Sequence, residues 1–157
     1  MKKRVSVKWE HNMLFQGAVD NRVITLDAGP NEGGNNDGVK PKALLLIALG
    51  GCTGMDVVSL LNKMREKFSS FEVNIEATID PAQPLVYSSF DVTYLISGQE
   101  IHTPKVVKAV KMSMNTYCGV AQMLRKVAPV NYHIIVNGVH LDLDKFQPID
   151  DNLLIEE

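Results

Sequence analysis

A stretch from about residue 41 to 67 reads as one long helix that is apolar on nearly every face until Leu61. Leu45, Leu49, Cys52, Asp56 and Ser59 share one side of it. A helix of this kind must be buried all round, and a small domain rarely encloses one completely. Either a sheet wraps it or a second subunit supplies the missing wall. Gly50, Gly51 and Gly54 lie in its middle, where each costs about 1 kcal/mol relative to alanine. Such a cost calls for the close approach of another backbone or a ligand, or else marks a local kink.

The segments around this helix are strand-like. Val5, Val7 and Trp9 alternate with polar residues, and Met13-Leu14-Phe15 and Val23-Ile24-Thr25-Leu26 follow after short polar breaks, which predicts a three-stranded meander. Residues 29–38 are rich in glycine and asparagine and read as a mobile loop, with Pro41 set at the first turn of the helix. Residues 71–79 and 86–96 alternate again and predict two antiparallel neighbours. Thr103-Pro104 predicts a second helix, Thr as cap, running to about Val127 with Val107, Val110, Met114, Cys118 and Ala121 on one side. Residues 132–136 form one more strand, and the tail from Asp142 is acidic and weakly patterned.

At 157 residues, with 45% hydrophobic and 22% charged residues, the chain is sized for a single domain over 1–157. A net charge of −2 with scattered lysines gives no general attraction to nucleic acid. The positive N-terminus passes into alternation instead of an apolar run, so no signal peptide is expected. The uncharged run between Lys42 and Asp56 is too short to span a bilayer that needs roughly 20 apolar residues. The expectation is a cytoplasmic protein with no membrane partner and with its two cysteines reduced at rest.

Those cysteines, Cys52 and Cys118, are the candidate chemistry. Each is either inert core filling, since free cysteine is among the most buried residue types, or half of a redox pair. The histidines at 11, 102, 133 and 140 show no metal-ligand spacing with them, and the 29–38 loop lacks the ending of a phosphate loop, so neither a metal nor a nucleotide cofactor is expected. Asp56, one turn after Cys52, disfavours a thiolate there unless paired or turned away. It is read as structural, holding a backbone group or Arg22. Tyr117 is read as a core aromatic with a satisfied hydroxyl, and His102 and His133 as structural.

The segment Pro41-Lys42-Ala43-Leu44-Leu45-Leu46-Ile47-Ala48-Leu49-Gly50-Gly51-Cys52-Thr53-Gly54-Met55-Asp56-Val57-Val58, with Cys118 following 66 positions after Cys52 in Ser113-Met114-Asn115-Thr116-Tyr117-Cys118-Gly119-Val120, resembles the OsmC/Ohr family of organic hydroperoxide resistance proteins. The likeness runs from the meander through the last strand. It is nearest the less characterised OsmC-like branch with an Ala-Leu-Gly-Gly-Cys-Thr segment.

The resemblance implies an α+β (α/β sandwich) fold and an intertwined homodimer with the two long helices at its centre. It implies a thiol peroxidase in which Cys52 attacks an organic hydroperoxide and Cys118 resolves the sulfenic acid as a disulfide. A dithiol, such as a lipoyl group, then reduces that disulfide. Family peroxidases pair an arginine of the meander with a glutamate just after the helix-initial proline; this chain has Lys42 there. Arg22 is the candidate thiolate partner, with a solvated strand charge as the alternative. Lys42 lies ten residues before Cys52, roughly 15 Å along an unbroken helix. Glu32 or Asp37 are candidates for the missing carboxylate. Leu49, Met55, Phe15 and Met114 are candidate walls for an alkyl chain. Two other readings stay open: a dimeric small-molecule binding or stress-associated protein without efficient turnover, and a scaffold with inert thiols.

Overall fold

The computed structural model describes residues 1–146, which form two compact units, Met1–Ile47 and a second from Ala48 onward. The acidic tail beyond 146 lies outside the described residues.

The first unit is an antiparallel meander of β1 (Ser6–His11), β2 (Leu14–Val19) and β3 (Arg22–Leu26), as expected. Asp20 and Asn21 both take positive φ, 47° and 60°, between the paired residues Val19 and Arg22. This is the two-residue turn whose twist matches the strands, and Asp and Asn tolerate the left-handed conformation it demands.

The 29–38 loop is more organised than its composition implied. Asp27 is buried and accepts backbone N–H bonds from Ala28 at 2.8 Å, Asn35 at 2.9 Å and Asp37 at 3.0 Å. Those bonds fold the loop back on the end of β3, and a short 3-10 turn covers Pro30–Glu32. Gly34 is obligatory here, because an added Cβ would meet the Ala28 carbonyl oxygen at 2.2 Å.

The long helix, α1 (Pro41–Lys63), starts at the predicted proline and ends four residues early. Arg65 takes a left-handed φ of 53°, with Arg65 N–H bonded to the Asn62 carbonyl at 3.0 Å and Glu66 N–H to the Leu61 carbonyl at 2.9 Å. That pattern is a Schellman stop. By length and composition α1 is apolar enough to cross a bilayer, contrary to the expectation from its uncharged run; core helices of soluble proteins are too.

In the second unit β4 (Ser70–Ile79) and β5 (Tyr87–Ser97) pair antiparallel, and β6 (Val130–Val136) joins β5 in parallel. A parallel pair needs a crossover, which α2 (Thr103–Met112) and α3 (Gly119–Leu124) supply. A short β7 (Val139–His140) closes the sheet through Asn137-Gly138, both at positive φ. Leu49, Val57 and Leu61 of α1, Phe90, Val92, Tyr94 and Ile96 of β5, and Val106, Ala109 and Val110 of α2 form the core, each 2% exposed or less.

Two of the three helix glycines face this sheet. A Cβ on Gly50 would stand 3.2 Å from Ile75, and one on Gly54 would stand 3.5 Å from Phe71 and Val73. Gly51 faces open space. The expected burial on all sides is therefore not met in the single chain. The sheet covers one face of α1, while Leu45, Ile47, Gly51 and Met55 remain exposed.

Candidate functional site

Cys52 and Asp56 stand four residues apart on one side of α1, as helical periodicity requires. Cys118 comes to them from the crossover. The Sγ atoms of Cys52 and Cys118 and a carboxylate oxygen of Asp56 lie within 4.8 Å of one another. Cys118 is fully buried, whereas Cys52 and Asp56 are half-buried.

Cys118 reaches this position because the predicted second helix is broken. Residues Ser113–Tyr117 form a π turn, closed by Cys118 N–H to the Ser113 carbonyl at 2.8 Å. Cys118 itself is extended and caps α3, its Sγ accepting the Ala121 N–H at 3.4 Å. The expectation that Cys118 lies mid-helix is thus corrected. Arg125 donates to the Met114 carbonyl at 2.7 Å, and Gln122 donates to the Met114 and Asn115 carbonyls at 3.1 and 3.0 Å, so carbonyls at the break keep partners. Helix capping also differs at the start of α2. His102 occupies the cap position, placing Thr103 and Pro104 inside the first turn.

A chain of hydroxyls backs the thiols. Thr53 Oγ1 bonds the Tyr94 hydroxyl and lies 2.8 Å from Ser113 Oγ, which donates to Asp56 Oδ2 at 3.1 Å. Thr53, Tyr94 and Ser113 are completely buried. An ionised Asp56 only accepts, so the Ser113 proton points to it, the Thr53 proton to Ser113, and the Tyr94 proton to Thr53. Asp56 is therefore held by Ser113, a partner the sequence did not reveal.

Burial pushes the Cys118 thiol up to about 11; the Ala121 N–H opposes this, while Cys52 and the charge of Asp56 add to it. Burial likewise raises the Tyr94 hydroxyl, against its bond with Thr53.

The other charged residues predicted for the site lie in the first unit. Arg22 heads β3 in the first unit and is exposed. Glu32 accepts the Gly29 N–H at 3.4 Å and, with Met13, Phe15, Leu26, Lys40 and Lys42, lines a cavity of about 740 Å³ in that unit. Asp37 gives its backbone N–H to Asp27, the loop's organising carboxylate, which sequence reasoning missed although it precedes a turn-rich run. Two readings are corrected. Tyr117 is 51% exposed and not a core aromatic, because the π turn carries it outward. Leu49 and Met114 are fully buried core residues and Met55 is 76% exposed, so these three expected wall residues do not share one surface. His102 donates its backbone N–H to Glu66 at 2.7 Å, and His133 lies 4.0 Å from Asp91.

The family model for OsmC-like protein matches residues 34–133, a span that holds both cysteines, Asp56 and the hydroxyl chain. The chain belongs to the OsmC/Ohr family. Protein YhfA of Escherichia coli K12 is 29% identical over 127 residues, covering 80% of this chain and 92% of that protein. A hypothetical protein of Aquifex aeolicus VF5 superposes with a TM-score of 0.78 at 23% identity, covering 87% of this chain and 97% of that one. An organic hydroperoxide resistance protein OsmC from Legionella pneumophila superposes with a TM-score of 0.62 at 10% identity, over 85% and 96% of the two chains. At these identities the solved structures establish the shared fold.

Proposed function

We propose that this protein is a cytoplasmic, homodimeric thiol peroxidase that reduces organic hydroperoxides in oxidative stress defence. The observation that carries the reading is the meeting of Cys52 and Cys118, 66 residues apart in the chain, with ligating atoms within 4.8 Å. The half-buried Cys52 is the nucleophile and the buried Cys118 the resolving thiol. Cys52 thiolate attacks the peroxide oxygen, the O–O bond breaks, and the alkoxide leaves as alcohol after taking a proton. Cys118 then displaces the sulfenic oxygen as water, forming the S–S bond. An external dithiol, possessing two thiols of the lipoyl kind, returns both cysteines to thiols.

Arg22 is assigned as the cationic partner of the Cys52 thiolate, in place of the arginine-glutamate pair that Lys42 interrupts. The apolar stretch of α1 serves as the core of the dimer and not as a membrane span, and neither nucleic acid nor nucleotide has a role. The name of the Legionella protein supports hydroperoxide chemistry within the family.

A second reading, small-molecule binding without efficient turnover, is favoured by the cavity of about 740 Å³ in the first unit, whose apolar lining is flanked by Lys40, Lys42 and Glu32. The deciding experiment is peptide mapping of the reduced protein after one equivalent of an alkyl hydroperoxide. A Cys52–Cys118 crosslink, and a sulfenic acid on Cys52 in the Cys118→Ser variant, are expected for the peroxidase. Thiols left unmodified over many minutes would sink it in favour of the binding protein.

A further inference from the structure

We propose that Cys52, Asp56 and Cys118 form a three-ligand site for a thiophilic, tetrahedral divalent cation of the zinc class, with the fourth position open. The spacing of cysteines and histidines along the chain gave no such pattern, because the third donor arrives through the tertiary fold. Cys52 and Asp56 supply two donors from one helical face at i and i+4, and Cys118 supplies the third from the cap of α3. Bond lengths of 2.0–2.3 Å set donors around a tetrahedral zinc about 3.5–3.8 Å apart. The observed donors, all within 4.8 Å, therefore need to close by roughly 1 Å, which side-chain rotation supplies.

Two of the three donors are already oriented. Ser113 bonds Asp56 at 3.1 Å, and behind Ser113 stand Thr53 and Tyr94; the Ala121 N–H points at the Cys118 sulfur at 3.4 Å. Hydrogen bonds of this kind to a carboxylate and a thiolate fix ligand direction in metal centres. Two thiolates select a soft or borderline ion over magnesium or calcium, and the carboxylate is compatible with zinc.

The charge pattern points the same way. The Asp56 carboxylate opposes ionisation of the Cys118 sulfur, and within the second unit no lysine or arginine pairs with Asp56 among the described residues. A divalent cation reverses the sign of that effect, since the three negative donors then share one positive centre. Binding releases the two thiol protons to solvent and leaves the cation held by two thiolates and one carboxylate. The half-buried Cys52 and Asp56 leave the open position facing outward.

This inference does not depend on peroxide turnover. Thiols that bind metal yet ignore hydroperoxide would uphold it while sinking the peroxidase, and the reverse result would separate the two equally well. The test is titration of the reduced, metal-free full chain with Co(II), followed by displacement with Zn(II). The expected result is a near-ultraviolet thiolate-to-cobalt charge-transfer band with the visible bands of tetrahedral Co(II), at one ion per chain, abolished by Zn(II). Cys52→Ser and Cys118→Ser should each remove about half of the charge-transfer intensity or all of it. Asp56→Asn should keep both sulfur contacts but weaken binding by at least about tenfold, and Asp56→His, which puts an imidazole nitrogen donor in place of the carboxylate, should recover it. Circular dichroism confirms that each variant is folded. Absence of the charge-transfer band in the wild type overturns the proposal. So does an Asp56→Asn variant that binds Co(II) as tightly as the wild type, since the ion would then be a simple dithiol chelate.

Discussion

Ser113 donates its hydroxyl proton to Asp56 across 3.1 Å while bonding Thr53 Oγ1 at 2.8 Å, so the carboxylate beside the two cysteines is tied to the fully buried Tyr94. Buried hydroxyls are tolerated in a close-packed core only when each finds a partner, and this chain satisfies all of its members. The Thr53→Val substitution keeps the shape and removes the central link. It leaves the Tyr94 hydroxyl without its Thr53 partner, at an expected loss of about 1–3 kcal/mol. Adding Tyr94→Phe should cost less than it does alone, and urea denaturation of the two single variants and the double variant reads that coupling.

The hydroxyl chain was the least legible part of the molecule, for a physical reason. Thr53, Tyr94 and Ser113 sit singly in apolar or alternating runs, where a hydroxyl residue carries no period of its own and meets its partners only across elements. The break before Cys118 was hidden in another way. A π turn adds a residue to one helical turn, so Val107, Val110 and Met114 continue the apolar pattern while Cys118 has left the helix. The meander, the start of α1 at Pro41 and the β4–β5 pairing were legible because alternation and proline placement act locally. Asn137-Gly138 carried a hairpin signal for β7 that went unread.

Arg22 is exposed on β3, which makes it a clean test of the proposed thiolate partner. Arg22→Ala should leave stability within about 0.5 kcal/mol. Loss of a guanidinium that supports the Cys52 thiolate by about 1.4 kcal/mol should slow hydroperoxide-driven oxidation about tenfold at neutral pH. Arg22→Lys should recover part of it. Stopped-flow oxidation at unchanged rate in Arg22→Ala would remove Arg22 from the site.

Glu66 is buried at the end of α1's stop, with Lys105 at 3.0 Å and the His102 ring at 3.2 Å. Burial alone would raise its carboxyl, but the His102 N–H, Lys105 and the His102 ring together bring it below the ordinary value of 4.5. A depressed folded-state value means the stabilisation is full above about pH 4.5 and is lost as pH falls through the lower, folded value. Glu66→Gln should therefore be less stable at pH 7 by about 1–3 kcal/mol, with the gap to wild type narrowing in acid. Urea midpoints measured from pH 7 down to pH 3 check the sign; a gap that widens in acid contradicts it.

Arg65 pays the steric cost of a left-handed residue at the Schellman stop. Arg65→Gly removes the Cβ clash without touching either capping bond, and should raise stability by about 1 kcal/mol. The melting midpoint should rise accordingly, whereas Arg65→Val, with a branched side chain at the same φ, should lower it.

The open face of α1 is the remaining consequence of its composition. Ile47, Gly51 and Met55 form one i, i+4 row; Ile47 and Met55 are 59% and 76% exposed, and a Cβ on Gly51 would meet nothing within 4 Å. An apolar row with a glycine at its middle suits close packing against a second helix, and the proposed homodimer supplies that helix from the other copy. Met55→Asp places a charge at the centre of that contact, where desolvation opposes association. It should weaken the dimer by at least about tenfold, or about 1.4 kcal/mol, while the helical circular dichroism persists. Sedimentation velocity across a concentration series distinguishes the cases. A wild-type chain that sediments as a monomer throughout, or a Met55→Asp variant that dimerises as well as the wild type, would show that this face of α1 is not the dimer's centre.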